Sequence, residues 1–595
     1  MPRAICIFLL LTNSVFAQDP QDWKQYNHGN VGWRFNASEK TLNPTTVSYM
    51  VEKWRFPPRN SDTEIGIVHA TPIVVNGFVY FGTTRTNPTF YKLTPSGQLC
   101  WKYPIESVIT AEKQDPYIVY GSESAVDGVL NSALVTDDSV YFGTFGGQLI
   151  CLDRFSGELK WRVLTKEPPF TSAHGANTIM SSPIIADGKL IVAGGGFEHS
   201  LGAVPEYPCC SGRGFVAAFA PATGKEIWVF NIGPEPEQFD EPVAMTSVDG
   251  KIEFVAGPST SSVWCTPSYD AAAKVLYFGT DTHNAPRRPT ADDSRLYNKY
   301  SSAIIAIQVT DGQEKWVRQL VKNDVWNNAV PAYSESTGEY KDLSIGDTPK
   351  LYSLEIEGKV RDVLGVGCKN GSFYVIDRHT GQILTQTPTY QGPPTPGASA
   401  SAEDNILALP SAIGGIQTGC AYDGSSIYVN GIDWPALSLS LSRLTAMDAP
   451  TGGRVTSLQS NALAENWRHE RPKVQYANVA DEREYLSGDP VASGIAVANG
   501  VLFFTTTISG KLTALDAASG KMIKEFEIGP IWCGPSVSRG RVYVGSGNDL
   551  FRPWNAEKAE QRPKGFSLPL TQTGAVYSFG LPGEDEVARL SETEK

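Results

Sequence analysis

One unit recurs eight times along this chain of 595 residues, and that repetition constrains the fold more than any other feature. The unit is plainest at residues 137–161, DDSVYFGTFGGQLICLDRFSGELKW. Val140, Phe142 and Thr144 alternate with Tyr141 and Gly143, the period of a β-strand. Gly146-Gly147 interrupts the run, LICLD resumes it, and Ser156-Gly157 makes the turn into ELKW. Glycine at that turn suits a positive φ, which other residues reach only under strain. Such a segment is too short to bury its own apolar faces and needs copies beside it. Three further copies end at Trp101, Trp228 and Trp316. Four weaker ones follow: RDVLGVGCKNGSFYVIDRHTGQIL, SSIYVNGID…LSRLTAMDAPTGGRV, GVLFFTTTISGKLTALDAASGKMIKEF and GRVYVGSGN…TGAVYSFGLPG. The last lacks its closing strand, while a lone VEKWRF at residues 51–56 precedes the first. A ring of blades closes in this way without leaving sheet edges. The expected fold is all-β: an eight-bladed β-propeller over residues 51–582, closed by an N-terminal strand whose partner is the blade ending near Gly580.

The length alone suggests several domains, but repeats of this size argue for one ring with inserted loops. Residues 1–17 read as a signal peptide, with Arg3, an apolar core from Ile5 to Leu11, and a small-residue cleavage pattern ending at Ala17. Residues 18–50 are expected to wrap one face of the ring, and 583–595 form a polar tail. No later apolar run is long enough to span a bilayer. The expectation is therefore a secreted or periplasmic protein without a transmembrane anchor. The net charge of −13 comes with no basic block, which argues against a nucleic-acid partner. Beyond Cys6 the chain holds eight cysteines, an even number suited to an oxidising compartment. Asn36-Ala37-Ser38 and Asn370-Gly371-Ser372 are glycosylation sequons should the host be eukaryotic. Neither H-E-x-x-H nor G-x-x-x-x-G-K-[ST] occurs, so zincin and P-loop chemistries find no support.

Chemistry in such a ring belongs at its centre, where loops from many blades converge. Three segments stand out there. Cys209 and Cys210 are adjacent in EYPCCSGRG, Trp264 opens WCTPSYDAAAKVLYFGTDTHNAP, and Lys369 lies in GCKNGSFYVIDRHTG. W-x4-Y-D, an apolar strand, G-T and a nearby A-P resemble the signature of quinoprotein alcohol dehydrogenases, which hold pyrroloquinoline quinone (PQQ) in an eight-bladed propeller. With the vicinal cysteines, the chain most resembles the polyvinyl-alcohol-dehydrogenase-like branch.

That resemblance implies roles for particular residues. Cys209 and Cys210, as a vicinal disulfide, would cover one face of the quinone and Trp264 the other, an indole face being suited to stacking. Simple packing is the other reading of Trp264, since PIWCGPS around Trp532 repeats SVWCTPS. Arg213 stands where the family places an arginine against a cofactor carboxylate. Lys369 matches a basic residue near the quinone oxygens. Thr178 and Ser181 would add neutral hydrogen bonds. Calcium would be held by Glu198 together with Asp281 or Asn284, hard oxygen ligands for a hard cation. Here the family's Gly-x-Gly-Asn has become Gly279-Thr280-Asp281-Thr282. Asp293, or else Asp292, would take the proton from the alcohol. Asp324-Val325-Trp326-Asn327 resembles a buttressing segment of the same branch. No C-x-x-C-H occurs, so electrons would pass to an external acceptor. Two functions follow. One is oxidation of a small-molecule or polymeric alcohol with PQQ and calcium; the alternative is a non-catalytic propeller scaffold that has lost the cofactor.

Overall fold

The computed structural model describes residues 19–587 apart from 86, 109–126, 166–176, 197–211, 236, 248–249, 258–260, 285–297, 327–332, 335–338, 341, 357, 390–413, 434–451, 478–483, 508, 530, 548–572, 584 and 586. For 237–257, 333–340 and 473–488 it describes backbone pairing alone. Eight antiparallel sheets follow one another along the chain, each built of four main strands. Blades one to four take their strands from residues 73–104, 134–164, 184–231 and 268–319. Blades five to seven use 350–388, 421–470 and 496–527. The eighth supplies Ser536–Ser538, Arg541–Gly545 and Val576–Gly580, and takes its outer strand from Val51–Phe56. The expected closure is therefore present, with Val51 opposite Gly580 and Phe56 opposite Val576.

Tryptophans on the outer strands latch six of the eight blades to the next. Trp101 donates its indole N–H to the Arg154 carbonyl (3.1 Å), and its ring lies on Gly157 of the following turn. A Cβ at Gly157 would come within 2.6 Å of that ring, and φ there is 75°. The turn glycine thus serves twice, in conformation and in clearance. Trp54, Trp161, Trp228, Trp316 and Trp467 make the same bond at 2.9–3.1 Å onto the next blade's turn. Where blade five puts Thr385 in the tryptophan register, opposite Val375, the next turn carries Leu463 at φ 52° in place of glycine. The loss of the indole and the loss of the glycine coincide.

The wrap expected for residues 18–50 does more than cover a face. Residues 23–36 make a hydrogen bond to the inner strand of every blade. Trp23, Lys24, Asn30, Val31, Trp33 and Arg34 offer carbonyls to Val74, Val135, Tyr269, Leu351, Tyr422 and Val497 in turn. The side-chain amides of Asn30 and Asn36 reach the Ile185 and Val537 carbonyls. At the hub, Arg34 is fully buried and donates to the carbonyls of Tyr26, Ile495 and Pro535. Its guanidinium lies 4.4 Å from the Tyr26 ring centre. Asn36 has no exposed surface, so the first sequon is closed to glycosylation in the folded protein. The expectation of paired cysteines is corrected as well. Cys100, Cys151, Cys265, Cys368, Cys420 and Cys533 are all free thiols, five of them buried as small apolar side chains. Among the described residues no helix is long and apolar enough to cross a membrane.

Candidate active site at the junction of blades four and five

Residues 342–346, the lead-in to blade five, collect the site. Four of them make contacts that tie the site together. Asp342 pairs with Lys369, carboxylate to Nζ at 2.9 Å, both buried. The Ser344 carbonyl accepts the Lys369 N–H (3.0 Å), and the Ile345 N–H donates to the Thr280 carbonyl (3.1 Å). Gly346 lies against the Trp264 indole, where a Cβ would stand 1.9 Å from Cη2. Only glycine lets the ring reach that far across blade five.

The segment before Trp264 ties in the candidate metal ligand. Asp281 donates its N–H to the Ser262 carbonyl (3.0 Å), and its Oδ2 accepts the Ser262 hydroxyl (3.0 Å). Its Oδ1 accepts the Thr282 N–H (2.8 Å). Asn284 is buried, and its backbone pairs in parallel with Trp326. His283, between them, has Nδ1 on the Ser261 hydroxyl (2.8 Å) and Nε2 on the Asn298 side-chain oxygen (2.5 Å). Burial pushes its pKa down to about 4, so the ring is neutral.

Blade three supplies the facing wall. Gly214 packs so closely on the Ser261 carbonyl that a Cβ would meet it at 1.8 Å. Beside it, Arg213 turns its guanidinium onto the Gly233 carbonyl (2.7 Å) and the exposed Glu235 carboxylate, leaving Nε buried without a partner among the described residues. The Thr178 hydroxyl donates to the Gly195 carbonyl (3.3 Å), and the buried Ser181 hydroxyl has no partner among the described residues. The Ser344 hydroxyl is likewise buried and unpartnered. Buried polar atoms are rarely left so, and each of these three is open to a polar partner.

Trp264, Asp281 and Lys369 thus converge through residues 342–346, with Arg213, Thr178 and Ser181 on the adjoining wall. Glu198, Cys209, Cys210, Asp292 and Asp293 lie outside the described residues, and among those described no three acidic, histidine or cysteine side chains form a metal cluster. The sequence reading missed Asp342. Desolvation raises its pKa to about 8; Lys369 pulls it down, while Asp281 and Asp324 push it further up. No local motif marks this aspartate, because its partners are distant in sequence.

A family model described as "Glucose/ethanol/alcohol dehydrogenase, beta-propeller domain" matches residues 23–404, more than half of the chain. The chain belongs to this family. A second model, described as "Outer membrane protein assembly factor BamB", matches residues 440–562. The family's quinone alcohol dehydrogenase (dehydrogenase subunit) of Gluconobacter oxydans is 27% identical over 64% of this chain and 46% of its own. Polyvinylalcohol dehydrogenase of a Sphingopyxis species is 25% identical over 78% of this chain and 64% of its own. The chain thus spans about half the length of the first of these relatives and under two thirds of the second. In fold, it superposes on quinohemoprotein alcohol dehydrogenase from Comamonas testosteroni with a TM-score of 0.65. That match covers 95% of this chain and 81% of the other at 18% identity.

Proposed function

We propose that this protein oxidises an alcohol to a carbonyl with PQQ and calcium, passing electrons to an external acceptor, and that it acts outside the cytoplasm. The Asp342–Lys369 pair carries the reading: a buried carboxyl whose pKa is raised to about 8, beside a buried cation at the mouth of a quinoprotein-family ring. Trp264 and the unpartnered Ser181, Ser344 and Arg213 Nε fit the quinone, with Cys209 and Cys210 on its other side. Glu198 with Asp281 would hold calcium. When bound, the quinone accepts the two electrons of the oxidation.

The chain's own part is proton transfer and placement. Asp342, as its carboxylate, accepts the hydroxyl proton of the alcohol; Lys369 Nζ, 2.9 Å from that carboxylate, would offset developing negative charge. Asp342 takes this role in preference to Asp293 or Asp292 because its burial and its lysine give it a base's environment. The likeness to polyvinylalcohol dehydrogenase, which reaches further along this chain than the Gluconobacter match, favours a polymeric or secondary alcohol. The test is to add PQQ and calcium to the purified protein and measure bound quinone and dye-linked oxidation of ethanol, 2-butanol and polyvinyl alcohol. Binding of neither cofactor at micromolar concentration would leave a non-catalytic scaffold.

A further inference from the structure

Asp342 follows the short backbone pairing of Tyr333–Ser334 with Glu339–Tyr340 and opens the lead-in to blade five. Its backbone has φ of 58°, a left-handed conformation that costs most residues strain and that aspartate adopts more readily. A second carboxylate holds the backbone there. Asp324 accepts the Asp342 N–H on Oδ1 (2.7 Å), and on Oδ2 it accepts the Leu343 N–H (2.8 Å) and the Ser302 hydroxyl (2.6 Å). We propose that Asp324 is a positioning residue: its carboxylate clamps the backbone at Asp342 and Leu343 and so aims the Asp342 side chain at the reacting hydroxyl. This rests on the reading of Asp342 as the base.

Asp324 is itself held rigidly. It has no exposed surface, and its carbonyl accepts the Ser301 hydroxyl (2.5 Å), the Thr282 hydroxyl (3.0 Å) and the His283 N–H (3.0 Å). The Asp281 loop and the start of blade four's third strand are thereby fixed to the same point as the base. Three donors converge on the Asp324 side chain, and only an acceptor on both oxygens satisfies them. An amide would turn an NH2 against one of the N–H groups, leaving a buried donor facing a donor. The left-handed residue would then relax, and the direction of its Cα–Cβ bond would change with it.

The test compares Asp324→Asn, Ser302→Ala and Asp342→Asn with the wild type. In cofactor-free protein, hydrogen exchange at the Asp342 and Leu343 amides should quicken at least about tenfold in Asp324→Asn, with blade strands unchanged. In protein loaded with PQQ and calcium, its kcat should fall about 10- to 100-fold while alcohol KM and quinone affinity hold within about threefold, as expected for misplacement of one reacting group. Ser302→Ala removes one donor and should lower kcat by only about two- to fivefold. Unchanged exchange at the two amides overturns the proposal, as does an unchanged kcat accompanied only by a lower Tm. Should Asp324→Asn not fold, Ser302→Ala decides by the same two readouts. Full activity in Asp342→Asn ends the base assignment while leaving the clamp measurable by exchange. Full activity in Asp324→Asn with Asp342→Asn inactive ends the positioning role alone.

Discussion

Two buried aspartate–lysine pairs lie five residues apart in this chain, and they differ in what surrounds them. Asp347 and Lys350, at the base of blade five, have no exposed surface. The Asp347 carboxylate is saturated: Lys350 on Oδ1, the Cys420 N–H on Oδ1 (2.8 Å) and the Gly367 N–H on Oδ2 (2.8 Å). Lys350 also donates to the Thr348 carbonyl (2.6 Å). Asp342 has Lys369, but it also faces the repulsion of Asp281 and Asp324. A carboxylate ringed by fixed donors is a structural tie between blades five and six. One with a single cation and two like charges nearby keeps a proton until about pH 8 and remains able to exchange it.

Substituting each pair tests that contrast. The largest effect is expected from Asp342→Asn: turnover of the PQQ- and calcium-loaded protein should fall by about 10²- to 10⁴-fold with quinone binding retained, as for loss of a general base. Full turnover in that variant would erase the distinction between the pairs. Asp347→Asn should do the opposite. Breaking one side of a buried ion pair costs about 3–5 kcal/mol, so its denaturant midpoint should drop sharply while kcat per folded molecule is unchanged.

The pH profile sharpens the comparison. Burial and like charge raise the Asp342 pKa to about 8, so below that pH the group is a protonated acid and cannot accept a proton. The kcat/KM of the loaded enzyme should therefore rise with pH up to about 8, by about tenfold per unit on the acid side, and then level off. Asp342→Asn should abolish that limb, and a stable Lys350 variant should leave it where it is. The smallest effect belongs at the rim, far from either pair. Gly520 has φ 68°, and a Cβ there would meet Trp467 at 2.4 Å. Gly520→Ala should cost about 1–3 kcal/mol through strain and overpacking, read as a lower Tm with kinetics intact.

The ring was legible because its signals are local. Alternating apolar residues recur within each unit, with a turn glycine and a closing tryptophan in most, and every blade can be read without knowing the others. The displaced VEKWRF strand was legible for the same reason, since a missing piece at one end matched a surplus piece at the other. Arg34 was not. Nothing in WRFNAS announces a cation at the hub, because its partners lie in blades one, seven and eight and in its own wrap. The two sequons show the same limit: the triplet at Asn36 is identical in kind to any other, and only packing buries it.

At the site, the sequence by itself determined which chemical types were present and roughly where: Trp264 before blade four, Lys369 after a strand of blade five, and carboxylates in the loops between. It favoured Asp293, then Asp292, as the proton acceptor and did not single out Asp342. A loop acid's pKa is fixed by burial and by charges brought near from elsewhere in the chain. Only the tertiary structure brought Lys369, Asp281 and Asp324 around Asp342, and only there did a loop acid acquire a buried, charge-crowded environment. Periodicity is a property of neighbours along the chain, whereas electrostatics depends on distance in space.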